Sequence, residues 1–213
     1  MELVKASATI LQITSNPLEL IELSGRCCYK SEDKITPDSA QKFAKMLLNL
    51  GHESVIEHAV ATVKFVCDRG VTHEIVRHRI ASYSQESTRY CNYGKLGVKF
   101  VIPSWCDNIE AGIFNFPDKD VAENQWLSAM LDAEARYLSL LELGWTPQQA
   151  RSVLPNSLKT EIIMTCNLRE WIHFFKLRTS KKAHPDMWAI TRPLLEKFKK
   201  AIPVIFDDIL VDI

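Results

Sequence analysis

Residues 77 to 90 read RHRIASYSQESTRY, setting Arg77, His78, Arg79 and Arg89 among Ser82, Ser84, Ser87 and Thr88. Guanidinium groups are forked, permanently charged donors, and hydroxyls with backbone amides complete a grip on phosphate or carboxylate oxygens. Such a set suits recognition of an anion. The preceding DRGVTHEIV has helical spacing, with Val76 and Ile80 on one face and Glu74 and His78 four apart on another. Taken alone, RHR also reads as a basic helix end complementing the helix dipole, with a Glu74 to His78 pair. The continuation SYSQESTRY is poor in apolar anchors and reads as a polar loop, which tilts the segment toward anion binding.

The remainder of the chain has to position that segment. Its 213 residues, 46% hydrophobic, are ample for a core. Twenty-six basic residues balance twenty-six acidic ones, so attraction to nucleic acid or a membrane surface would have to come from a local patch, and neither is expected as partner. The N-terminal MELVKASATILQIT lacks the layout of a signal peptide, and no apolar run approaches the roughly 20 residues that span a bilayer, so a cytoplasmic protein is expected. Six cysteines (Cys27, Cys28, Cys67, Cys91, Cys106, Cys166) show no CxxC spacing and read as reduced thiols. His52 and His58 flank ESVIE but lie six apart, which does not place both on one helix face, and no metal site is expected.

No linker, repeat or low-complexity tract interrupts the chain, so residues 1–213 read as one α+β domain with a small antiparallel or mixed sheet flanked by several helices. Asn16 and Pro17 propose a helix start, and Thr36 and Pro37 propose a second that runs to Gly51. Strands are predicted at the N-terminus and over 59–68, 97–103 and 157–167. An amphipathic helix is predicted from about Val121 to Leu143, stopping at Gly144, with two later helices over NLREWIHFFKLR and HPDMWAITRPLLEKFKK. Asn167 reads as an N-cap, Arg178 as a helix end, and Trp171, Phe174 and Phe175 as core.

RHR, seven residues and a serine, closing on Arg89-Tyr90, resembles the signature of the flavin-dependent thymidylate synthases. GHESVIEH upstream and RSVLP, TCNLR and FKLR downstream resemble further blocks of that family in the same order, from residue 51 to 178. The resemblance implies reductive methylation of dUMP to dTMP, with methylenetetrahydrofolate giving the carbon, NADPH the electrons and FAD carrying them, in a homotetramer with shared active sites. It places FAD against Ser54, Arg77, His78, Arg79, Asn167, Arg169 and His173, with His52 as a flavin or folate neighbour. It places dUMP against Glu74, Gln85, Ser87, Thr88, Arg89, Arg151 and Arg178, the last also polarising the uracil ring as the catalytic cation. Four positions depart from the family pattern: Glu74 stands where Gln is usual, Ser84-Gln85 where Asn-Glu is usual, and His173 where Asn is usual.

Two other readings remain open on the residues alone. Cysteine-dependent thymidylate synthesis needs an activated, exposed thiol, for which only Cys91 qualifies. A nucleotide-sensing or nucleic-acid module would use the basic segment without catalysis.

Overall fold

The computed structural model describes residues 1–112 and 121–210. Along the chain run β1 (Glu2–Val4), β2 (Ser7–Ile13), α1 (Pro17–Cys27), α2 (Ser39–Asn49), a 3-10 segment (Glu53–His58), β3 (Val60–Asp68), α3 (Arg69–Ile75), β4 (Ser82–Gln85) and α4 (Tyr93–Leu96). Then follow β5 (Lys99–Val101), α5 (Val121–Glu142), α6 (Pro147–Ala150), β6 (Lys159–Asn167), α7 (Leu168–Arg178) and α8 (Pro185–Ala201). β1 pairs in parallel with β5, and the other strands form a four-stranded sheet in the order β2-β3-β6-β4. The architecture is α+β with small sheets and several helices, as the pattern predicts. Among the described residues no helix is long and apolar enough to cross a membrane.

The chain divides into two compact units, the first comprising Met1–Ser7, Phe65–Arg77 and Ser84–Ile162, the second Ala8–Lys64, His78–Tyr83 and Ile163–Ile213. The core of the first gathers Phe100, Leu158 and the inward face of α5, where Leu127, Met130 and Tyr137 recur at helical spacing. Gly144, at φ 91°, lies just beyond α5 in a backbone conformation that a side chain would strain. The core of the second is aromatic: Trp171, Phe174 and Phe175 of α7 meet Phe198 of α8 and Phe206, with ring centroids 5.1 to 5.7 Å apart. In the same unit α1 and α2 approach closely at Gly25, where an added Cβ would come within 2.8 Å of Phe43 and Leu47.

Local chemistry moved several expected boundaries. The segment Ser82–Gln85, read as loop, is strand β4. Helix α2 starts at Ser39 rather than at Pro37, because the Ser39 hydroxyl accepts from the Thr36 amide (2.9 Å) and donates to Glu22 of α1 (2.7 Å). Asn16 precedes α1 as expected, yet it does not cap it: its backbone is left-handed (φ 47°) and its amide donates to Glu19 at 3.1 Å.

Candidate active site

In the first unit, Arg89 of the opening segment and Arg151 meet neutral side chains. Arg151, at the end of α6, donates to Thr88 at 2.8 Å, and Arg89 donates to Gln148 at 2.9 Å. Two expected nucleotide contacts separated by 63 residues, Thr88 and Arg151, are therefore brought together. The loop that carries them is anchored beside β4. Glu86 donates its amide to the Glu161 carbonyl (2.9 Å), and its carboxylate accepts from Tyr93 (2.8 Å) and Lys159 (3.1 Å). The Ser87 carbonyl accepts from the amides of Tyr90 and Cys91, closing a tight turn around Thr88 and Arg89.

Gln85 accommodates one departure from the family pattern. Its amide nitrogen donates to the hydroxyls of Thr72 (3.1 Å) and Thr160 (3.3 Å), both buried. The Thr72 hydroxyl spends its own hydrogen on the Arg69 carbonyl (2.8 Å) and can only accept from residue 85. Toward Thr72 the position therefore calls for an amide donor rather than a carboxylate.

The second unit holds most of the residues expected at the flavin. His78 is 3% exposed and sits between Glu170 and Arg178: Nδ1 lies 2.8 Å from Glu170, and Nε2 accepts from Nε of Arg178 at 3.2 Å. Because a guanidinium has no acceptor, Nε2 must be bare and the neutral imidazole must carry its proton on Nδ1, donating to Glu170. Tyr83 donates to the His78 carbonyl (2.6 Å), and the rings of Phe174 and His173 lie 4.9 and 5.4 Å from the imidazole. The local alternative, a Glu74 to His78 pair, is not what the ring nitrogens make: α3 ends at Ile75, and both bond to α7. Burial above all holds the His78 pKa below its ordinary value, with Arg178 and His173 adding to the effect while Glu170 opposes it.

Asn167 caps α7 as expected, its carbonyl oxygen accepting from the Glu170 amide at 2.9 Å. A cavity of about 510 Å³ opens beside this cap, lined by Asn167, Arg169, His173, Lys176, Glu53 and Glu57 among others. Its volume falls within the usual range for small-molecule sites. Arg169 donates to Glu53 (3.1 Å) and Glu57 (2.6 Å) across the cavity wall. Arg77 lies in the first unit and His52, Ser54 and Arg79 in the second, all four with exposed side chains.

Sequence reasoning passed over Glu170, Glu53 and Glu57 as site residues. Glu53 and Glu57 were visible inside GHESVIEH, four residues apart; Glu170 gave only the signal of an acid three residues after an N-cap, which suggests capping rather than chemistry. His78, Glu170 and His173 offer donor atoms within 4.8 Å of one another, but a metal ion there would have to displace either the Arg178 guanidinium or the proton shared with Glu170. All six cysteines are free thiols. Cys67 and Cys166 are buried, and burial pushes both thiols far up from their ordinary pKa, so neither supplies a thiolate. Cys91 is half-buried.

The family model for thymidylate synthase complementing protein matches residues 9–204 of the chain. The chain belongs to the flavin-dependent thymidylate synthase family. The flavin-dependent thymidylate synthase of Geobacter sulfurreducens is 36% identical over 206 residues, covering 93% of this chain and 84% of that protein. That of Pyrococcus furiosus is 35% identical over 201 residues, covering 90% and 78%. Among solved structures, the UMP/dUMP methylase PolB from Streptomyces cacaoi, bound with 5-Br dUMP, superposes with a TM-score of 0.78 over 97% of this chain and 96% of that one, at 23% identity. That likeness shows a shared fold. Membership of this family makes the chain an enzyme of the methyltransferase type, and sets aside the reading of a non-catalytic basic module.

Proposed function

We propose that this chain reductively methylates dUMP to dTMP, taking the carbon from methylenetetrahydrofolate and the electrons from NADPH. The observation that carries the reading is the placement of Arg178. Its guanidinium, at the C-terminal end of α7, is aimed by a buried neutral imidazole, to which its Nε–H is committed. Uracil C5 is a poor nucleophile until the ring gains electron density. A fixed cation near N3 and O4 favours N3 ionisation and stabilises the negative charge that results. The alternative, attack by a cysteine thiolate, finds Cys67 and Cys166 buried and protonated and leaves the half-buried Cys91 as its candidate, which Cys91→Ala tests. PolB, of the same fold, was solved with a dUMP analogue, which supports a pyrimidine nucleotide as substrate.

The donor set of the cavity at α7 fits FAD. Arg169 and Lys176 suit phosphate oxygens, Asn167 and His173 offer hydrogen bonds, and Glu53 and Glu57 can accept from hydroxyls. Arg169 is already paired with the two glutamates, but its side chain is 51% exposed, and solvent screens such exposed ion pairs. An incoming phosphate displaces them at small cost. FAD, when bound, supplies the redox carrier between NADPH and the methylene carbon. We assign Thr88, Arg89, Arg151, the Ser87 turn, Gln85 and Glu74 to the nucleotide, and Ser54, Arg77, His78, Arg79 and His52 to the flavin.

The deciding experiment is anaerobic incubation of the protein with FAD, NADPH, methylenetetrahydrofolate and dUMP. Formation of dTMP with oxidation of NADPH is expected; no dTMP with flavin bound sinks the reading. We further propose a cytoplasmic homotetramer, one functional domain per chain, whose sites draw residues from more than one subunit, since free thiols suit a reducing compartment. Mixing Arg77→Ala and Arg178→Ala subunits should restore activity, and a monomer by light scattering at micromolar concentration excludes the tetramer.

A further inference from the structure

We infer that Glu170 is a positioning residue for the reaction: through His78, held as the Nδ1–H tautomer, it orients the guanidinium of Arg178. This rests on the role given to Arg178 above.

The chain of contacts is short and buried. Glu170 is 8% exposed and His78 3% exposed; Glu170 to Nδ1 is 2.8 Å, and Nε2 to Nε of Arg178 is 3.2 Å. Arg178 is fixed from its backbone as well, its carbonyl accepting from the buried Thr191 hydroxyl of α8 at 2.8 Å. The residue is thus held at both its backbone and its guanidinium.

The sequence position of Glu170 makes its orientation informative. An acid three residues after an N-cap ordinarily reaches back to the N-cap amide and completes a capping box. Asn167 performs its half of that motif, accepting from the Glu170 amide, while the Glu170 carboxylate turns away to His78. Burying a carboxylate is costly, and the α7 cap does not need it. What it supplies is one-way chemistry. An ionised carboxylate accepts only, so it enforces a proton on Nδ1 and a bare Nε2; a glutamine amide could equally donate to Nδ1 and admit the opposite tautomer. That tautomer would aim Nε2–H at the guanidinium and lose the contact.

The arrangement works only while His78 is neutral. The groups facing the ring are Glu170, His173 and Arg178 on α7, with Tyr83 of β4 and the Cys166 thiol of β6 close enough to feel the same charges. Burial keeps His78 neutral at ordinary pH, and the Glu170 carboxylate is what pulls its pKa back up. Acidification through that pKa adds a proton to Nε2 and expels Arg178 from its acceptor, so turnover falls on the acid side. Removing the Glu170 charge lowers the His78 pKa further, and that acid limb moves to lower pH.

The test compares wild type with Glu170→Gln as FAD-loaded enzymes, measuring kcat and KM for dUMP across pH. A kcat loss on the order of 10- to 100-fold, the range for residues that orient a working group, is expected, with little change in KM and the acid limb shifted to lower pH. Unchanged kcat, or a loss with the limb unmoved, overturns the proposal. Independently of turnover, nitrogen-15 NMR of histidine-labelled wild-type protein should show His78 as the Nδ1–H tautomer at neutral pH; the Nε2–H tautomer or a cation overturns it even if Glu170→Gln does not fold. If wild type makes no dTMP but shows Nδ1–H, the function assigned to the site fails while the positioning of Arg178 stands.

Discussion

The arginines of the two units are held by opposite means. In the first, Arg89 and Arg151 bond to the neutral Gln148 and Thr88. In the second, Arg169 is met by two carboxylates, and Arg178 rests on an imidazole that is itself backed by one. An arginine on a neutral partner keeps its full charge and most of its donors for a ligand, which suits a phosphate dianion. An arginine whose Nε–H is committed to a braced imidazole gains a fixed direction, which suits polarising a ring at one edge. Grip and aim predict different kinetic signatures: Arg89 and Arg151 should govern nucleotide affinity, and Arg178 should govern turnover.

The sharpest way to break that comparison is Arg178→Ala. Removing a preorganised charge that acts in the transition state typically costs about 100- to 1,000-fold in turnover. We expect kcat for dTMP formation to fall on that scale with flavin still bound, and Arg178→Lys to recover little, because an ammonium lacks the Nε–H directed at His78. Near-normal kcat in Arg178→Ala, or an inactive Cys91→Ala with flavin bound, would overturn the polarisation route.

Arg151→Ala should report in the other parameter. A hydrogen bond to a charged group contributes about 1.5–3 kcal/mol, which corresponds to roughly 10- to 100-fold in affinity. KM for dUMP is expected to rise by that factor with kcat largely retained, and the difference from wild type should narrow as salt screens the phosphate contact. Steady-state kinetics at two ionic strengths check it; a pure kcat defect would erase the distinction between the units.

Much of this division was legible in the sequence. The RHR to RY segment, the strands β3 and β6 and the cap and end of α7 follow from residue type and spacing, because each is set by neighbours within a few positions. The rest depends on partners far along the chain. β4 is a strand of serines, tyrosine and glutamine without apolar alternation, formed because the sheet supplies its bonds. Local spacing offered His78 only Glu74, four residues away on a helix that stops before reaching it, whereas its partner Glu170 lies 92 residues later. The neutral partners of Arg89 and Arg151 were equally out of reach of any local pattern.

Gln85→Glu gives the smallest effect and tests whether the first unit is tuned for neutral partners. The substitution keeps shape and replaces an amide donor by two acceptors, although Thr72 has no hydrogen to offer, having given it to the Arg69 carbonyl. The carboxylate is then short of donors in a half-buried place, at a cost of about 1–3 kcal/mol. For a chain of this size that corresponds to a fall in Tm of about 2–12 °C. Relief comes by taking up a proton, so the folded-state pKa of the introduced carboxyl group should rise above the roughly 4.3 of the unfolded chain. A raised acid pKa destabilises most at pH values above it, and the penalty fades as pH falls toward the unfolded value. Thermal melts of both proteins at about pH 7.5 and about pH 5 should therefore show a deficit that shrinks in acid. A deficit that stays constant with pH would mean that the cost is steric, and that the two threonines do not select a neutral donor at this position.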